Sequence, residues 1–140
     1  MIPDDQYKLY QQGKFNDVPV LVGYNSDEGA SFVWNKDPKP FLADITTRFG
    51  KFSPSLLDAY SIPKDRISRS ARNLIRDAAF GWHTWSWAKL QSEKGASPAY
   101  LYFFDQHPDY PKGSDKYGYG SPHGQDIAYV FQHLDVNNPK

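Results

Sequence analysis

The sequence of 140 residues predicts an α/β fold, because two apolar runs of strand length flank a long helical segment. The runs are VPVLVGY (18–24) and AYLYFF (99–104). Nearly continuous apolar runs are typical of strands buried on both faces of a parallel sheet. Residues 25–98 between them are far too many for a hairpin. We therefore expect two buried parallel strands joined by a long, right-handed helical crossover.

Short helices are predicted at the start of this crossover. The turn Asn25-Ser26-Asp27 offers helix-capping side chains, with Asp27 as the simplest N-cap, and EGASFVW (28–34) begins a short helix. Residues 41–49 and 53–60 form two further short helices, which Gly50 and Pro54 separate.

The longest helical pattern covers residues 64–94, with Gly95 as its stop signal. Its apolar side chains recur at spacings of three and four and predict a single buried stripe. The stripe consists of Ile67, Ala71, Leu74, Ile75, Ala78, Trp82 and Trp85. Gly81 lowers the helix propensity locally and predicts a kink there. His83, which lies among tryptophans, is expected to be a packing residue.

A final helix is expected from about Ser121 to Leu134. Ser121 can cap it and Pro122 suits its first turn. The spacing of four apolar residues predicts its buried face, namely Ile127, Val130, Phe131 and Leu134.

Composition excludes several classes of function. The 16 basic residues balance the 16 acidic ones, which argues against a nucleic-acid partner. With no cysteine there is neither a disulfide framework nor a thiolate metal site, and the cellular compartment stays open. No apolar stretch is long enough to span a bilayer. No two histidines have HExxH spacing, so we expect neither a metal nor any other cofactor.

An acid and a histidine are the candidate catalytic residues. Glu28 follows the first predicted strand, and His123 lies on a Gly/Pro/Ser loop downstream of the second. The carboxyl ends of neighbouring parallel strands lie at one edge of the sheet, so a carboxylate–imidazole hydrogen bond is easy to form. Two simpler interpretations stay open: Glu28 as a first-turn helix residue that complements the dipole, and His123 as a surface side chain.

A nucleophile is missing from the pattern. No G-x-S-x-G elbow occurs, and Ser26, Ser114 and Ser121 all lack the strand–turn–helix setting that such an elbow needs. Ser121 is also only two residues from His123, too close for a favourable attack geometry. The pattern therefore supplies the acid and the base of a hydrolase but not its nucleophile.

Three blocks of the sequence resemble the type-B carboxylesterases, a family that includes cholinesterases and bacterial para-nitrobenzyl esterases. FNDVPVLVGYNSDEGASFV (15–33) is similar to the family's strand-and-acid block, with its N-x-D-E-G-x-x-F signature. PAYLYFFD (98–105) resembles the next strand, and SPHGQDIAYVFQHL (121–134) resembles the histidine block. Two positions depart from the pattern: Asp126 stands where glutamate is typical, and Gln132 where glycine is usual.

The resemblance implies a role for each candidate. Glu28 corresponds to the triad acid and His123 to the triad histidine. The serine elbow and the oxyanion loop would lie upstream of Met1. Residues 1–140 would then be the C-terminal portion of a single carboxylesterase α/β-hydrolase domain, incomplete at both ends.

We accordingly expect a C-terminal piece of a serine carboxylic-ester hydrolase that is inactive in isolation, because nucleophile and oxyanion hole are missing. Its partners would be a small carboxylic ester and either the missing N-terminal part or a second copy. One alternative is a non-catalytic, cholinesterase-like adhesion or binding module. Another is an aromatic-rich carbohydrate binder, although Tyr100, Tyr102, Phe103 and Phe104 are better explained as core.

Several aromatic residues are candidates for the mouth of a substrate site. They are Trp34, Phe80, Trp82, Tyr110, Tyr117 and Tyr119. Such a mouth would suit aryl or bulky esters, although core packing explains the tryptophans better.

Overall fold

The structure is a computed structural model that describes residues 3–33, 38–60 and 67–133. Two strands, β1 (Val20–Asn25) and β2 (Ala99–Phe104), are embedded in helices. In chain order the helices are α1 (Gln6–Gln11), α2 (Pro38–Phe49), α3 (Ser53–Ala59), α4 (Ile67–Ile75), α5 (Trp82–Lys94) and α6 (Gln125–Val130). Short 3₁₀ turns cover Glu28–Ser31 and Gly50–Phe52. Trp34 and Leu134 lie outside the described residues.

The two strands pair in parallel, as the sequence predicts. Their register runs from Val20 opposite Ala99 to Asn25 opposite Phe104. Both strands therefore end at the same edge of the sheet, where the acid turn and the loop before α6 emerge. Gly23 lies opposite Tyr102, and a Cβ on Gly23 would collide with the Tyr102 ring. The small residue in β1 thus lets a large one from β2 lie across it.

The prediction that both strands are buried on both faces is wrong for the described part of the chain. Leu21 is 70% exposed and its register partner Tyr100 is 57% exposed. Helix α5 packs on the opposite face of the sheet, where Gly81 at its start contacts Tyr24. Phe103 on β2 is also exposed. The described helices therefore cover one side of β1 well and leave most of β2 open.

The part of the predicted long helix that the structure describes, from Ile67 to Lys94, is continuous but changes its geometry midway. A π-helical segment, Arg76–Gly81, joins α4 to α5 and ends at the glycine that was expected to mark a kink. Each wide π turn holds an extra residue and so shifts the phase of everything that follows. Ala71 and Leu74 before it are buried as predicted, whereas Trp82 and Trp85 after it are exposed. The buried face of α5 consists instead of Ala88, Leu90 and Gln91.

A buried polar brace fixes the connection from α5 to β2. The Gln91 side chain is fully buried, and its Nε2 donates to Asp17 Oδ1 at 2.7 Å. Asp17 also accepts the backbone N–H groups of Ala96, at 2.7 Å, and Ser97. Donation from the Ala96 backbone is the main cause that lowers the pKa of Asp17 below its ordinary value. The helix ends at Gly95 as predicted, with extended backbone.

Helix α6 is shorter than predicted and buries a different face. Gly124, with φ 80°, is its N-cap, so Ser121 and Pro122 both precede it. Ile127, Val130 and Phe131 are exposed. The helix instead packs through Ala128 and through Tyr129, whose ring meets Phe104 edge-on at 5.2 Å. Contact with the end of β2 therefore decides which side of this helix is buried.

Within the described ranges, no helix combines the length and apolar character that a membrane span needs.

Candidate active site

Glu28 is a buried carboxylate at the carboxyl end of β1. It opens the 3₁₀ turn that follows the strand, and only 4% of its surface is exposed. The backbone N–H of Asn25 donates to its Oε1 at 2.8 Å. The tight turn after the strand therefore holds one carboxylate oxygen and leaves Oε2 for another partner.

That partner is His123. Its Nδ1 lies 2.6 Å from Glu28 Oε2, although 95 residues separate the two in sequence. With Nδ1–H donated to the carboxylate, the neutral ring keeps a lone pair on Nε2. The imidazole side chain is 51% exposed, whereas the Glu28 side chain is 5% exposed. A buried acid thus orients a histidine whose ring remains accessible.

Backbone hydrogen bonds join the acid turn to the histidine loop. The N–H of Asp27 donates to the Ser121 carbonyl at 2.9 Å, and the N–H of Ser121 donates to Ser26 Oγ at 2.8 Å. Gly120 donates to Asp27 Oδ2 at 3.1 Å. A Cβ on Gly120 would collide with Ser26 Oγ, so this approach requires glycine.

Asn25 makes a further connection between the same two loops. Its side-chain Nδ2 donates to the Pro122 carbonyl at 2.8 Å and to Asp126 Oδ1 at 3.1 Å. Asn25 is 2% exposed, so these bonds are shielded from water. Asp126, one of the two departures from the family pattern, therefore accepts a hydrogen bond from a residue at the end of β1.

Asp27 occupies the N-cap position before the 3₁₀ turn, as the sequence predicts, but its side chain does not cap the turn. Its side chain makes no cap hydrogen bond and instead accepts from Arg72 Nε at 2.9 and 3.0 Å. Both side chains are almost fully buried, and the guanidinium also lies 3.9 Å from the centre of the Tyr119 ring. Gly29 packs directly on the Arg72 backbone. This ion pair joins α4 to the acid turn.

Two aromatic rings flank His123. The ring centre of Phe80 lies 5.0 Å from that of His123, and the ring centre of Phe32 lies 5.5 Å away. Phe80 belongs to the π segment. Of the predicted mouth residues, Phe80 is therefore beside the histidine, Tyr119 covers Arg72, and Trp34 lies outside the described residues.

The π segment is also tied to the acid turn by polar contacts. Arg76 Nη1 donates to the Ser26 carbonyl at 3.2 Å, and Arg76 pairs with Asp77 at 2.7 Å. Tyr60, at the end of α3, donates its hydroxyl hydrogen to Asp77 at 2.8 Å. Burial, assisted by Asp77, raises the pKa of Tyr60 to about 12.

The serines and the other histidines have no comparable setting. Ser121 is fully buried and Ser26 accepts a backbone N–H, while Ser114 lies in an exposed turn. His83 is exposed, so the expectation that it packs in the core is wrong. In the described ranges, no cluster of three or more histidine or acidic side chains could hold a metal ion.

Sequence reasoning brought Glu28 and His123 together but missed residues that support them. Neither the Asn25 side chain nor Arg72 was assigned a role in holding the histidine loop. Arg72 carries a signal in retrospect, because a charged residue adjoins Ala71 and Leu74 within the buried part of the helix.

Comparison with known proteins decides the family. The carboxylesterase family model matches residues 1–139. The chain belongs to this family. Among solved structures it is similar to a PNB esterase, with a TM-score of 0.70, 24% identity, and coverage of 96% of this chain and 28% of that one. A thermophilic PNB esterase gives a TM-score of 0.68 and 25% identity, with coverage of 96% and 26%. The fold of this carboxylesterase-family chain is thus that of part of an α/β hydrolase.

Curated relatives of this carboxylesterase-family chain include neuroligins. Neuroligin-3 of Homo sapiens is 28% identical over an alignment of 157 positions, gaps included, which covers 94% of this chain and 18% of the relative. Neuroligin-2 of Homo sapiens is 27% identical over an alignment of 158 positions, with the same coverage of both chains. The chain therefore spans about a fifth of the length of the curated relatives that it matches.

Proposed function

We propose that this chain is the C-terminal portion of one carboxylesterase domain and supplies the acid and the base of a serine esterase triad. The observation that carries the proposal is the 2.6 Å contact between His123 Nδ1 and the buried Glu28 carboxylate. A buried acid bonded to Nδ1 fixes the tautomer that leaves Nε2 as the proton acceptor. Family membership supplies the reaction class, hydrolysis of carboxylic esters.

In this mechanism a serine from the upstream part of the domain attacks the ester carbonyl. His123 Nε2 accepts the serine proton and then delivers it to the departing alcohol. Glu28 stabilises the imidazolium that forms in between. A charge-assisted hydrogen bond contributes about 1.5–3 kcal/mol, more than the roughly 0.3–1 kcal/mol by which a nearby helix N-terminus disfavours a cation. The carboxylate therefore dominates the electrostatics of the ring.

The isolated chain should lack triad-dependent catalysis, because its sequence has no G-x-S-x-G elbow and the family's oxyanion loop is expected upstream of Met1. The test is hydrolysis of para-nitrophenyl acetate by the purified chain, compared between His123→Ala and His133→Ala. His133 is an exposed histidine and serves as the matched control. Equal slow rates for the three proteins are expected. A turnover that His123→Ala alone abolishes would contradict the proposed division of the triad.

The substrate would be an ester with an apolar group near the carbonyl. Phe80 and Phe32 flank the His123 ring and present apolar surface to whatever lies beside it. This arrangement supports aryl or bulky esters over small polar ones.

A binding module without catalysis is the second candidate, and the neuroligin relatives are consistent with it. The upstream reading frame distinguishes the two. A G-x-S-x-G elbow encoded upstream of Met1 supports the esterase. An elbow position without serine would leave Glu28 and His123 as a structural pair and move the function to binding a partner.

A further inference from the structure

We propose that Asn25 is a positioning residue for His123, acting through the Pro122 carbonyl, and that Asp126 holds the Asn25 amide in the orientation this requires. The inference deepens the proposed function of the same site and rests on it. It names the contact that positions the backbone of His123 so that its ring meets Glu28.

The hydrogen bonds of the acid turn hold different atoms of the histidine loop. Ser26 and Asp27 bind the backbone of residues 120 and 121, ahead of the histidine. Asn25 instead binds the carbonyl of Pro122, the oxygen of the peptide unit whose nitrogen belongs to His123. Because the peptide unit is planar, fixing that oxygen fixes the direction in which the His123 Cα leaves it.

On the other side of His123, the backbone N–H of Gln125 donates to the same Pro122 carbonyl at 3.1 Å, and the intervening residue adds no side-chain contact. Gly124 has φ 80°, in a region that glycine enters without a steric penalty. Its side chain is a hydrogen atom, so it contributes no anchoring side-chain contact of its own. Glu28 Oε2 holds the Nδ1 end of the ring, and the Asn25 bond at Pro122 holds the backbone from which the ring projects.

Two acceptors define the orientation of the Asn25 amide. Pro122 O and Asp126 Oδ1 are both acceptors, so the side chain must present its NH₂ group to both. The Asp126 bond engages one hydrogen of this group, which directs the other hydrogen to Pro122. The other Asp126 oxygen lies 3.5 Å from the Tyr102 hydroxyl.

The backbone of Asn25 also reaches the acid, because its N–H donates to Glu28 Oε1. A single buried residue thus contacts the triad acid directly and the histidine through its preceding carbonyl. Substituting its side chain alone leaves the contact with the acid in place. The effect on the histidine can therefore be measured separately.

The test is the tautomer of His123, read from its ring ¹⁵N resonances in the purified chain. In the unsubstituted chain the proton should reside on Nδ1. Asn25→Asp is nearly isosteric, but it removes both donors and sets a carboxylate against two acceptors. The ratio of Nδ1–H to Nε2–H should fall roughly fivefold, the factor that the loss of one ordinary hydrogen bond gives.

Gln91→Glu is the matched control. Gln91 is likewise a fully buried amide that donates to a carboxylate, and it lies at the opposite end of the sheet. This variant should lose stability and leave the His123 tautomer unchanged. If Gln91→Glu lowers the ratio as far as Asn25→Asp does, the tautomer follows stability alone and the proposal is overturned.

The double variant Asn25→Asp, Asp126→Asn separates positioning from stability. The amide introduced at position 126 can donate to the carboxylate introduced at position 25, which relieves the repulsion between two carboxylates. The Pro122 carbonyl still lacks the Asn25 donor and keeps only the backbone N–H of Gln125, at 3.1 Å. We expect stability to recover and the tautomer ratio to stay low. Recovery of both would show that Asn25 is only structural, and an unchanged ratio in Asn25→Asp would likewise overturn the proposal.

These outcomes do not depend on ester hydrolysis. A low tautomer ratio in Asn25→Asp can coexist with an upstream segment that lacks the serine, in which case positioning stands and the esterase proposal fails. If Asn25→Asp leaves the tautomer ratio unchanged and the upstream segment carries a serine elbow, the esterase proposal stands and the positioning proposal fails.

Discussion

Asp27 and Arg72 form a buried ion pair directly beneath the acid turn. Their side chains are 7% and 6% exposed, and Arg72 Nε contacts both carboxylate oxygens. Asp27 also accepts the N–H of Gly120, so the pair supports the histidine loop as well as the acid turn. Removing one member of such a pair leaves the other as an uncompensated charge in a dry environment.

Arg72→Met should therefore lower the free energy of unfolding by about 3–5 kcal/mol. The double variant with Asp27→Asn should recover a large part of the loss, because no charge is then stranded. Urea unfolding measures both. Arg48→Met is the control, since it breaks the exposed pair with Asp44 and should cost no more than about 0.5 kcal/mol. A loss in Arg72→Met as small as in this control would contradict the account.

Gln132 is the only described residue other than glycine with a positive φ, at 56°. It stands where the family usually has glycine. A left-handed conformation costs a residue with a Cβ about 1–2 kcal/mol, a cost that glycine does not have. Glycine loses more conformational entropy on folding, and this offsets part of the gain. Gln132→Gly should raise the free energy of unfolding by roughly 0.5–1 kcal/mol in urea unfolding. Gln132→Ala keeps the Cβ and should give no such gain; equal effects would refute the explanation.

At the scale of single residues, sequence predicted the contact between Glu28 and His123, which the structure places at 2.6 Å. Their positions after parallel strands were enough, since strand direction decides where loops emerge. The ion pair of Asp27 was not predicted, because its partner Arg72 is 45 residues away and only the packing of α4 brings it near. Local capping rules do not contain that information. The catalytic roles of Glu28 and His123 stay predictions.

At the scale of elements, the π segment Arg76–Gly81 contacts both the histidine and the acid turn. It places Phe80 beside His123 and Arg76 against the Ser26 carbonyl, while Asp77 binds Tyr60 at the end of α3. The sequence signalled a disturbance at Gly81 but not its kind. A glycine lowers helix propensity, whereas the extra residue of a π turn depends on tertiary contacts such as that of Gly81 with Tyr24. The predicted stripe therefore failed from Ala78 onward.

The contact between Tyr60 and this segment predicts a loss of stability at high pH. Burial and Asp77 raise the pKa of Tyr60 from 10.0 to about 12, so the folded chain keeps a proton that the unfolded chain releases. Stability is fully present below pH 10.0 and is lost as the pH rises toward about 12. Burial also raises the pKa of Tyr102 and adds to the same trend.

Tyr60→Phe should therefore make the decline with pH less steep, as measured by urea unfolding across this interval. Tyr117→Phe, which alters an exposed side chain, is the control and should leave the slope unchanged. An identical slope in Tyr60→Phe and the unsubstituted chain would contradict the assigned pKa shift.

At the scale of the whole molecule, the described chain is a two-stranded parallel sheet with its site at one end and an open face along β2. Sequence predicted the α/β class, the parallel pairing and the long crossover. It failed on burial, because a run such as AYLYFF indicates which surface is apolar and not which segment covers it. Leu21, Tyr100 and Leu101 remain exposed. A cover formed by the upstream part of the domain or by a second copy stays a prediction.

The most direct test of the central claim is the kcat for para-nitrophenyl butyrate of the proposed complete domain, compared with its His123→Ala and Glu28→Gln variants. Each variant should lower kcat by roughly 10⁴-fold, the loss that follows when the base or its orienting acid is removed. His133→Ala should leave kcat unchanged. Activity in His123→Ala equal to that of the unsubstituted protein would contradict the assignment of His123 as the base of a serine esterase.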